Sequence, residues 1–299
     1  MVSTSAGWCT KLLARESMSM KRPPTLPLSP LAIWREKRFG AIHDGRGPAD
    51  YGRGRSDVTA LLYFWADNPH EADFHPFECA LRETWLQCGM LPTTIVTNQP
   101  FPFLRRFSET FAPFVRIDLV PELVPSDLST MSADMNGHLA EHFDTPWVLI
   151  VQEDGFPLRK GLDEFVGEWD YIGAPWNGED DWITRRLLLT ANLVGNGGFS
   201  LRSRAICMGA SHHWFAIWRH LPRCYLMQED IFYARFLPRW SRSYRERFRF
   251  APIEVAARFS TERIHPTLDA SFGFHSAEAF ARIISSYDGT VSFEMQPRY

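Results

Sequence analysis

The sequence lacks any paired-cysteine motif. Its 299 residues contain five cysteines, an odd number, and they are widely spaced with no Cys-x-x-Cys pair among them. This pattern supports neither a zinc site nor a disulfide framework. Reduced thiols in a cytoplasmic protein are the simpler interpretation, so we expect a cytoplasmic location.

Long apolar runs and a strong net charge are also missing. No stretch approaches the ~18 apolar residues of a transmembrane helix, and the first residues lack the apolar core of a secretory signal. The net charge of −3 gives no whole-chain reason to expect nucleic acid or an anionic membrane as a partner. Basic residues do cluster locally over residues 239–250. We interpret that segment as a solvated surface, with a polyanion site as the alternative.

Apolar residues are abundant enough for a sizeable core. Hydrophobic residues make up 45% of the chain and aromatic residues 14%, and the length fits one large domain or two closely joined ones. Residues 1–56 are rich in Pro, Gly, Ser and Arg. They are predicted to form a largely disordered extension with one short helix over residues 31–39, and residues 286–299 a C-terminal tail.

From residue 57 onward, strand-like and helix-like segments alternate. Strands are predicted over residues 58–65, 93–98, 114–120 and 147–151. Helices are predicted over residues 71–89, 103–111 and 126–143, the last with Ser126 as its N-cap. Such alternation with short links predicts an α/β fold, in which helices cover both faces of a mainly parallel sheet.

Two carboxylates follow the fourth predicted strand. Gln152, Glu153 and Asp154 come directly after its apolar residues, and ligands of parallel sheets bind at the carboxyl ends of the strands. Alternation along an extended segment should turn Glu153 away from its two neighbours. An ordinary strand terminus is the alternative to a binding site.

Three further polar clusters lie in the second half. Three glycines within four positions (residues 195–198) predict a tight turn into a strand. That turn is either a hairpin or a place where Gly197 and Gly198 let a ligand approach the backbone. Glu229 and Asp230 begin a helix-compatible stretch. Either the helix dipole stabilises the two carboxylates at that position, or they belong to a site. His275 is either a packed histidine or a ligand, and the acidic residues 178–182 are predicted to form an exposed loop.

Six segments together resemble a bacterial and fungal domain family without an assigned function, which itself resembles GT-A-fold glycosyltransferases. In order they are LIVQEDGF, FVGEWDYIGAPW, VGNGGFSLRSR, QEDIFYARFL, PIEVAARFSTE and FGFHS. The resemblance covers roughly residues 58–276 and is most specific over residues 147–275. The same order is similar to β-1,4-galactosyltransferases and to β-1,3 and fringe-type enzymes. It implies one GT-A-like domain over residues 57–285, with a nucleotide-binding half (57–154) and an acceptor and catalytic half (155–285).

The resemblance implies a divalent cation on the donor diphosphate. Asp154 would match the last acidic position of the Asp-x-Asp motif, whose oxygen ligands suit Mn²⁺ or Mg²⁺. Gln152 stands where that motif has its first Asp, and an amide is a neutral, poorer ligand. His275 would match the late histidine that completes metal coordination.

The resemblance also implies a sugar pocket and a catalytic base. The segment that would line the donor and acceptor pocket contains Asn196, Gly197, Gly198 and Ser200. Asp230 would deprotonate the acceptor hydroxyl, with Glu229 hydrogen-bonding the sugar. Tyr171, Trp176 and Phe199 would present their rings to sugar faces.

We therefore expect an inverting glycosyltransferase that uses a nucleotide sugar, a UDP-sugar first of all, in glycan or polysaccharide synthesis. The partners would be the nucleotide sugar and a hydroxyl acceptor, without nucleic acid. One alternative is a glycoside hydrolase in which Asp154 and Asp230 act as acid and base about 5–9.5 Å apart. The other is a non-catalytic sugar- or nucleotide-binding module on a degenerate transferase fold, which the departure at Gln152 motivates.

Overall fold

The computed structural model describes residues 30–39, 47–69, 72–125, 127–176, 194–217, 228–262 and 271–286. The predicted Ser126 cap and the predicted acidic loop at 178–182 lie outside these residues, as do nearly all of the predicted C-terminal tail (286–299) and residues 1–29 of the predicted extension. In this part of the chain, no helix combines the length and the apolar character needed to cross a bilayer.

A six-stranded sheet in the order β3-β2-β1-β4-β7-β6 forms the centre of the fold. Its strands are β1 (Val58–Phe64), β2 (Thr93–Thr97), β3 (Val115–Leu119), β4 (Trp147–Ile150), β6 (Tyr171–Pro175) and β7 (Val194–Ser203). The pairs among β1, β2, β3 and β4 are parallel, and β7 pairs antiparallel with both β4 and β6. The predicted α/β fold with a mainly parallel sheet is confirmed.

Helices follow the strands much as the periodicity predicts. They are α1 (Pro30–Phe39), α2 (His75–Cys88), α3 (Pro102–Thr110), α4 (Leu128–Gly137), α5 (Arg204–Ile217), α6 (Glu229–Ile231), α7 (Leu237–Trp240), α8 (Arg242–Arg247), α9 (Ile253–Phe259) and α10 (Ala277–Ser286). A π-helical turn (Phe232–Phe236) joins α6 to α7. The cap of α4 is Asp127, whose side chain accepts a hydrogen bond of 2.9 Å from the Ser129 N–H. That helix ends at Gly137 rather than at the predicted residue 143.

Both faces of the central sheet are buried. Successive side chains of β1 enter different hydrophobic clusters: Leu62 and Phe64 pack in one, Leu61 and Tyr63 in the other. Alternation of this kind follows from the two-residue period of a strand. A strand covered on both sides is apolar over nearly its whole length, and the polar side chain of Thr59 in β1 is hydrogen-bonded to Thr145 at 2.7 Å.

Helix α1 packs on the domain instead of belonging to a disordered extension. The ring of Trp34 stacks on that of Phe156 at a centroid distance of 5.6 Å and meets the edge of Phe280 at 5.3 Å. Leu31 is buried in the same cluster. The helix predicted over residues 31–39 is confirmed. The predicted disorder is corrected for residues 30–39 and 47–56, which have defined positions against the domain.

The glycine-rich segment at residues 195–198 is not a turn. These residues lie inside the continuous strand β7, which is buried along its whole length. The hairpin interpretation is therefore wrong. A second, three-stranded sheet lies beside the first in the order β5-β9-β8, with β5 (Gly155–Pro157), β8 (Ser260–Thr261) and β9 (Gly273–His275).

Candidate functional site

The chain leaves the carboxyl end of β4 through a tight turn. Gln152 N–H donates to the Gly155 carbonyl at 2.9 Å, and Gly155 N–H donates back at 3.1 Å. This turn carries the chain from the large sheet into β5, where Gly155 pairs antiparallel with His275 of β9. The junction of the two sheets thus places Asp154 beside a histidine more than a hundred residues away.

Gln152 and Asp154 both face His275. The Nε2–H of His275 donates to Gln152 Oε1 at 3.1 Å, and Nε2 lies 3.9 Å from Asp154 Oδ1. Glu153 is exposed, and its backbone carbonyl accepts a hydrogen bond from Arg35 of α1. Glu153 therefore points away from its two neighbours, although these residues form a turn and not the extended segment that was expected.

Gly198 leaves room for the imidazole of His275. A β-carbon built at Gly198 would overlap Nε2, and one built at Gly155 would lie 3.1 Å from Cδ2. Any larger residue at 198 would push the histidine away from Asp154. Gly198 therefore lies next to the candidate site, as predicted. It makes room for a side chain of the protein, and it lies in a strand instead of the predicted turn.

Glu262 lies on the other side of His275. Its Oε1 is 3.6 Å from His275 Nδ1, and its Oε2 accepts a hydrogen bond from Asn196 Nδ2. Burial lowers the pKa of His275, but the charges of Glu262, Asp154 and Asp230 raise it, and the net direction is upward. Sequence reasoning assigned no role to Glu262, although it ends one of the six segments of the resemblance. Asn196 orients this carboxylate.

A second carboxylate centre is built around the buried Arg202. Its guanidinium is enclosed by the rings of Tyr171 and Tyr233, at 5.0 and 4.8 Å from their centroids. Nη2 lies 3.2 Å from Glu229 Oε1. A β-carbon at Gly197 would overlap that same oxygen. Arg202 thus fixes the position of the Glu229 carboxylate. A residue larger than glycine at 197 would collide with that carboxylate.

Asp230, next to Glu229, differs from it chemically. Burial and the charge of Glu229 raise the pKa of Asp230 to about 7, against the opposing influence of Arg202. The Ile231 N–H donates to its Oδ1 at 2.7 Å. A carboxylate that titrates near neutrality is suited to accept a proton from a substrate.

Three residues assigned to the sugar pocket are in the core. Tyr171 is fully buried and donates its hydroxyl proton to the Gly195 carbonyl at 2.8 Å. Phe199 is also fully buried and stacks on Phe259 at 5.0 Å. Ser200 has no exposed surface and donates to the Gly197 carbonyl at 3.0 Å. The expectation that these side chains contact a sugar is corrected, because no solvent-facing surface remains to them.

Trp176 differs from these buried residues. It is only partly buried, and the Arg235 guanidinium lies 3.9 Å from its ring centroid. A β-carbon at Gly195 would overlap its ring. The ring of Trp176 therefore remains a candidate contact for the sugar or the nucleobase of a donor.

The polar atoms around His275 Nε2 fit a divalent cation. Neighbouring ligands of an octahedral cation with bonds of about 2.1 Å lie about 3 Å apart, and opposite ligands lie about 4.2 Å apart. The separations from Nε2, 3.1 Å to Gln152 and 3.9 Å to Asp154, fall within that span. In the described part of the chain, no three His, Cys, Asp or Glu side chains are arranged to hold a metal. The amide oxygen of Gln152, 3.1 Å from Nε2, is the candidate for a third protein ligand. Glu262 at Nδ1 would orient the imidazole, as carboxylates commonly do for metal-bound histidines.

Comparison with known proteins finds a family model that matches part of the chain, and a set of similar structures. Residues 129–275 match the model of the family described as "Protein of unknown function (DUF5672)". The expected resemblance to a domain family without an assigned function is thereby confirmed. No curated protein matches the sequence.

Several glycosyltransferases are similar in structure. Galactosyltransferase LgtC, solved with donor and acceptor sugar analogs, is 14% identical, with 79% of this chain and 98% of that chain covered and a TM-score of 0.44. Mouse xyloside xylosyltransferase 1 is 11% identical. The match covers 74% of this chain and 98% of that chain, with a TM-score of 0.44. Core-mannan synthase A from Aspergillus fumigatus, in its Mn/GDP form, is 10% identical. The match covers 62% of this chain and 76% of that chain, with a TM-score of 0.40.

Proposed function

We propose that the protein is a glycosyltransferase that moves a sugar from a nucleotide-sugar donor to an acceptor hydroxyl. One observation carries the proposal: Glu229 and His275 pack against Gly197 and Gly198, two adjacent residues of β7. The charge of Asp230 raises the pKa of His275, and the charge of Glu262 raises that of Asp230. A cation-holding group and a near-neutral carboxylate in one site are what this transfer needs.

On the donor side, Asp154, His275 and Gln152 would hold Mn²⁺ or Mg²⁺ against the diphosphate. When bound, the cation offsets the negative charge that develops on the leaving nucleoside diphosphate. Asn196 hydrogen-bonds Glu262, whose carboxylate lies 3.6 Å from His275 Nδ1 on the side away from Asp154. Gly198 keeps the imidazole within reach of Asp154.

On the acceptor side, Asp230 would act as the general base. It takes the proton of the acceptor hydroxyl while that oxygen forms a bond to the anomeric carbon. The bond from that carbon to the diphosphate breaks at the same time, and the diphosphate leaves with the electron pair. One displacement from the opposite face inverts the anomeric centre. A base of this kind contributes about 10²–10⁴-fold to the rate.

The test is a panel of UDP- and GDP-sugars incubated with the full chain in Mn²⁺, in Mg²⁺ or in a chelator. We expect turnover of a UDP-sugar that needs the cation, and a loss of about 10²-fold or more in Asp230→Asn. Glu109→Gln is the matched control, because Glu109 is an exposed carboxylate of α3. NMR of the product anomer tests inversion.

Three outcomes would contradict this proposal. If no nucleotide sugar is bound or turned over, the transferase assignment fails. If nucleotide sugar binds without turnover, the non-catalytic module replaces it. Cleavage of a glycoside in the absence of any nucleotide would point to a hydrolase.

A further inference from the structure

Residues 239–249 form a basic surface that the proposed transfer does not use. Within these eleven positions there are five arginines and one acidic residue. All five arginines are exposed: Arg239, Arg242, Arg245, Arg247 and Arg249. The chain as a whole carries a net charge of −3, so this concentration of positive charge is local.

The segment is held firmly on the domain. Tyr244 and Phe248 are buried, with their rings 4.8 Å apart, so the residues between them face outward. Ser241 caps α8 by accepting from the Tyr244 N–H at 3.2 Å. Arg245 donates to the Pro238 carbonyl at 2.8 Å. The arginines are therefore presented from a fixed backbone.

Most of this positive charge is not neutralised within the protein. Glu246 pairs with Arg242 at 2.7 Å. Arg239, Arg247 and Arg249 form no ion pair with any residue that the structure describes. Three guanidinium groups on one short segment thus remain available to an external anion.

A tryptophan stands among these arginines with most of its surface in water. Trp240 is 70% exposed, and the guanidinium carbon of Arg239 lies 5.9 Å from its ring centroid. Of the tryptophans that the structure describes, it alone is exposed rather than partly or fully buried. Tryptophan partitions to the headgroup level of bilayers, because its ring is apolar and its N–H is polar. Arginine beside it suits anionic headgroups.

We propose that this basic-aromatic surface, residues 239–249, binds an anionic lipid bilayer. Trp240 enters the headgroup region, and the free arginines contact lipid phosphates. The arginines are complementary in charge to anionic headgroups, and the exposed indole suits the headgroup region of a bilayer. Residues 229–240 are one helical run with Asp230 near its start and Trp240 at its end. The bilayer contact is thus at the opposite end of this run from Asp230.

The test is sedimentation of the full chain with vesicles of phosphatidylcholine, with and without phosphatidylglycerol. We expect binding only to the anionic vesicles, weakening as salt is added. Trp240→Ser, and the triple variant Arg239→Gln/Arg247→Gln/Arg249→Gln, should each lower the affinity by about tenfold or more. The control, Arg105→Gln/Arg106→Gln, removes two exposed arginines of α3 and should bind as the wild type does. Thermal unfolding checks that each variant is folded.

Either of two results would overturn the proposal. One is equal binding to neutral and anionic vesicles, or to neither. The other is heparin or RNA binding that matches the vesicle affinity and is unaffected by Trp240→Ser, which would assign the surface to soluble polyanions. Vesicle binding needs no sugar transfer, so its outcome and that of the donor screen are independent.

Discussion

At the scale of single residues, Asp230 has two properties that pull against each other. Its pKa lies near 7 because burial and Glu229 disfavour its charge. That value makes it an effective base at neutral pH. The same unfavourable charge must cost the folded protein stability whenever the carboxylate is ionised.

The cost has a defined pH window. The pKa of Asp230 rises from its ordinary value of 3.8 to about 7 on folding. The folded state therefore holds the proton more tightly, and stability falls as pH increases from about 4 to 7. Asp230→Asn should raise Tm at pH 8 by up to roughly 8–16 °C, because about 3 pKa units correspond to about 4 kcal/mol at most and 1 kcal/mol corresponds to about 2–4 °C, with little change at pH 4. The same variant should be inactive. Thermal unfolding at both pH values checks this, and a Tm gain equal at pH 4 and pH 8 would contradict it.

At the scale of elements, strand β7 shows how a local signal misleads. Asn196-Gly197 is a turn signal when read alone, and it predicted a hairpin. In the fold Gly197 and Gly198 lie inside a strand. Glu229 occupies the space that a side chain at 197 would need, and His275 occupies the space that a side chain at 198 would need. Those residues come from segments far along the chain, so no short-range pattern could reveal why glycine is required.

Gly198→Ala tests this packing directly. The added methyl would overlap the imidazole of His275, and overpacking of this kind costs about 1–3 kcal/mol of unfolding free energy. We expect His275 to be displaced and Mn²⁺ binding, followed by water proton relaxation, to weaken. Gly47→Ala is the control, because a β-carbon there meets nothing within 4 Å. Unchanged stability and metal affinity in Gly198→Ala would refute the proposed contact.

At the scale of the whole molecule, a buried charged network lies beside the hydrophobic cluster that contains Leu61 and Tyr63. His142 Nε2 lies 3.0 Å from Asp134 Oδ2, and its Nδ1 lies 3.0 Å from Asp118 Oδ2. Tyr63 donates its hydroxyl proton to Asp134 at 2.7 Å. The network thus links β1, β3 and α4. Burial lowers the pKa of His142, but the two carboxylates outweigh it and raise the pKa to about 9.

This network should make stability depend on pH above neutrality. Because the pKa rises from 6.5 to about 9 on folding, the stabilisation is complete below pH 6.5 and is lost as pH rises to 9. The loss should be about 3 kcal/mol at most, at 1.36 kcal/mol per pKa unit. Denaturant unfolding between pH 6.5 and 9 measures it. His142→Asn should flatten this dependence, whereas His138→Asn, at an exposed histidine, should leave it intact.

The sequence by itself determined the α/β class, the order of strands and helices, and the acidic end of β4. These features depend on contacts between near neighbours in the chain, which the apolar periods record directly. Only the tertiary structure decided that Glu262 and Asn196 support His275, that Arg202 holds Glu229, and that Tyr171, Phe199 and Ser200 are core residues. It also decided that α1 packs on the domain. Each of these depends on which distant segments meet across two sheets. Such meetings are set by packing of the whole chain, and no local pattern encodes them.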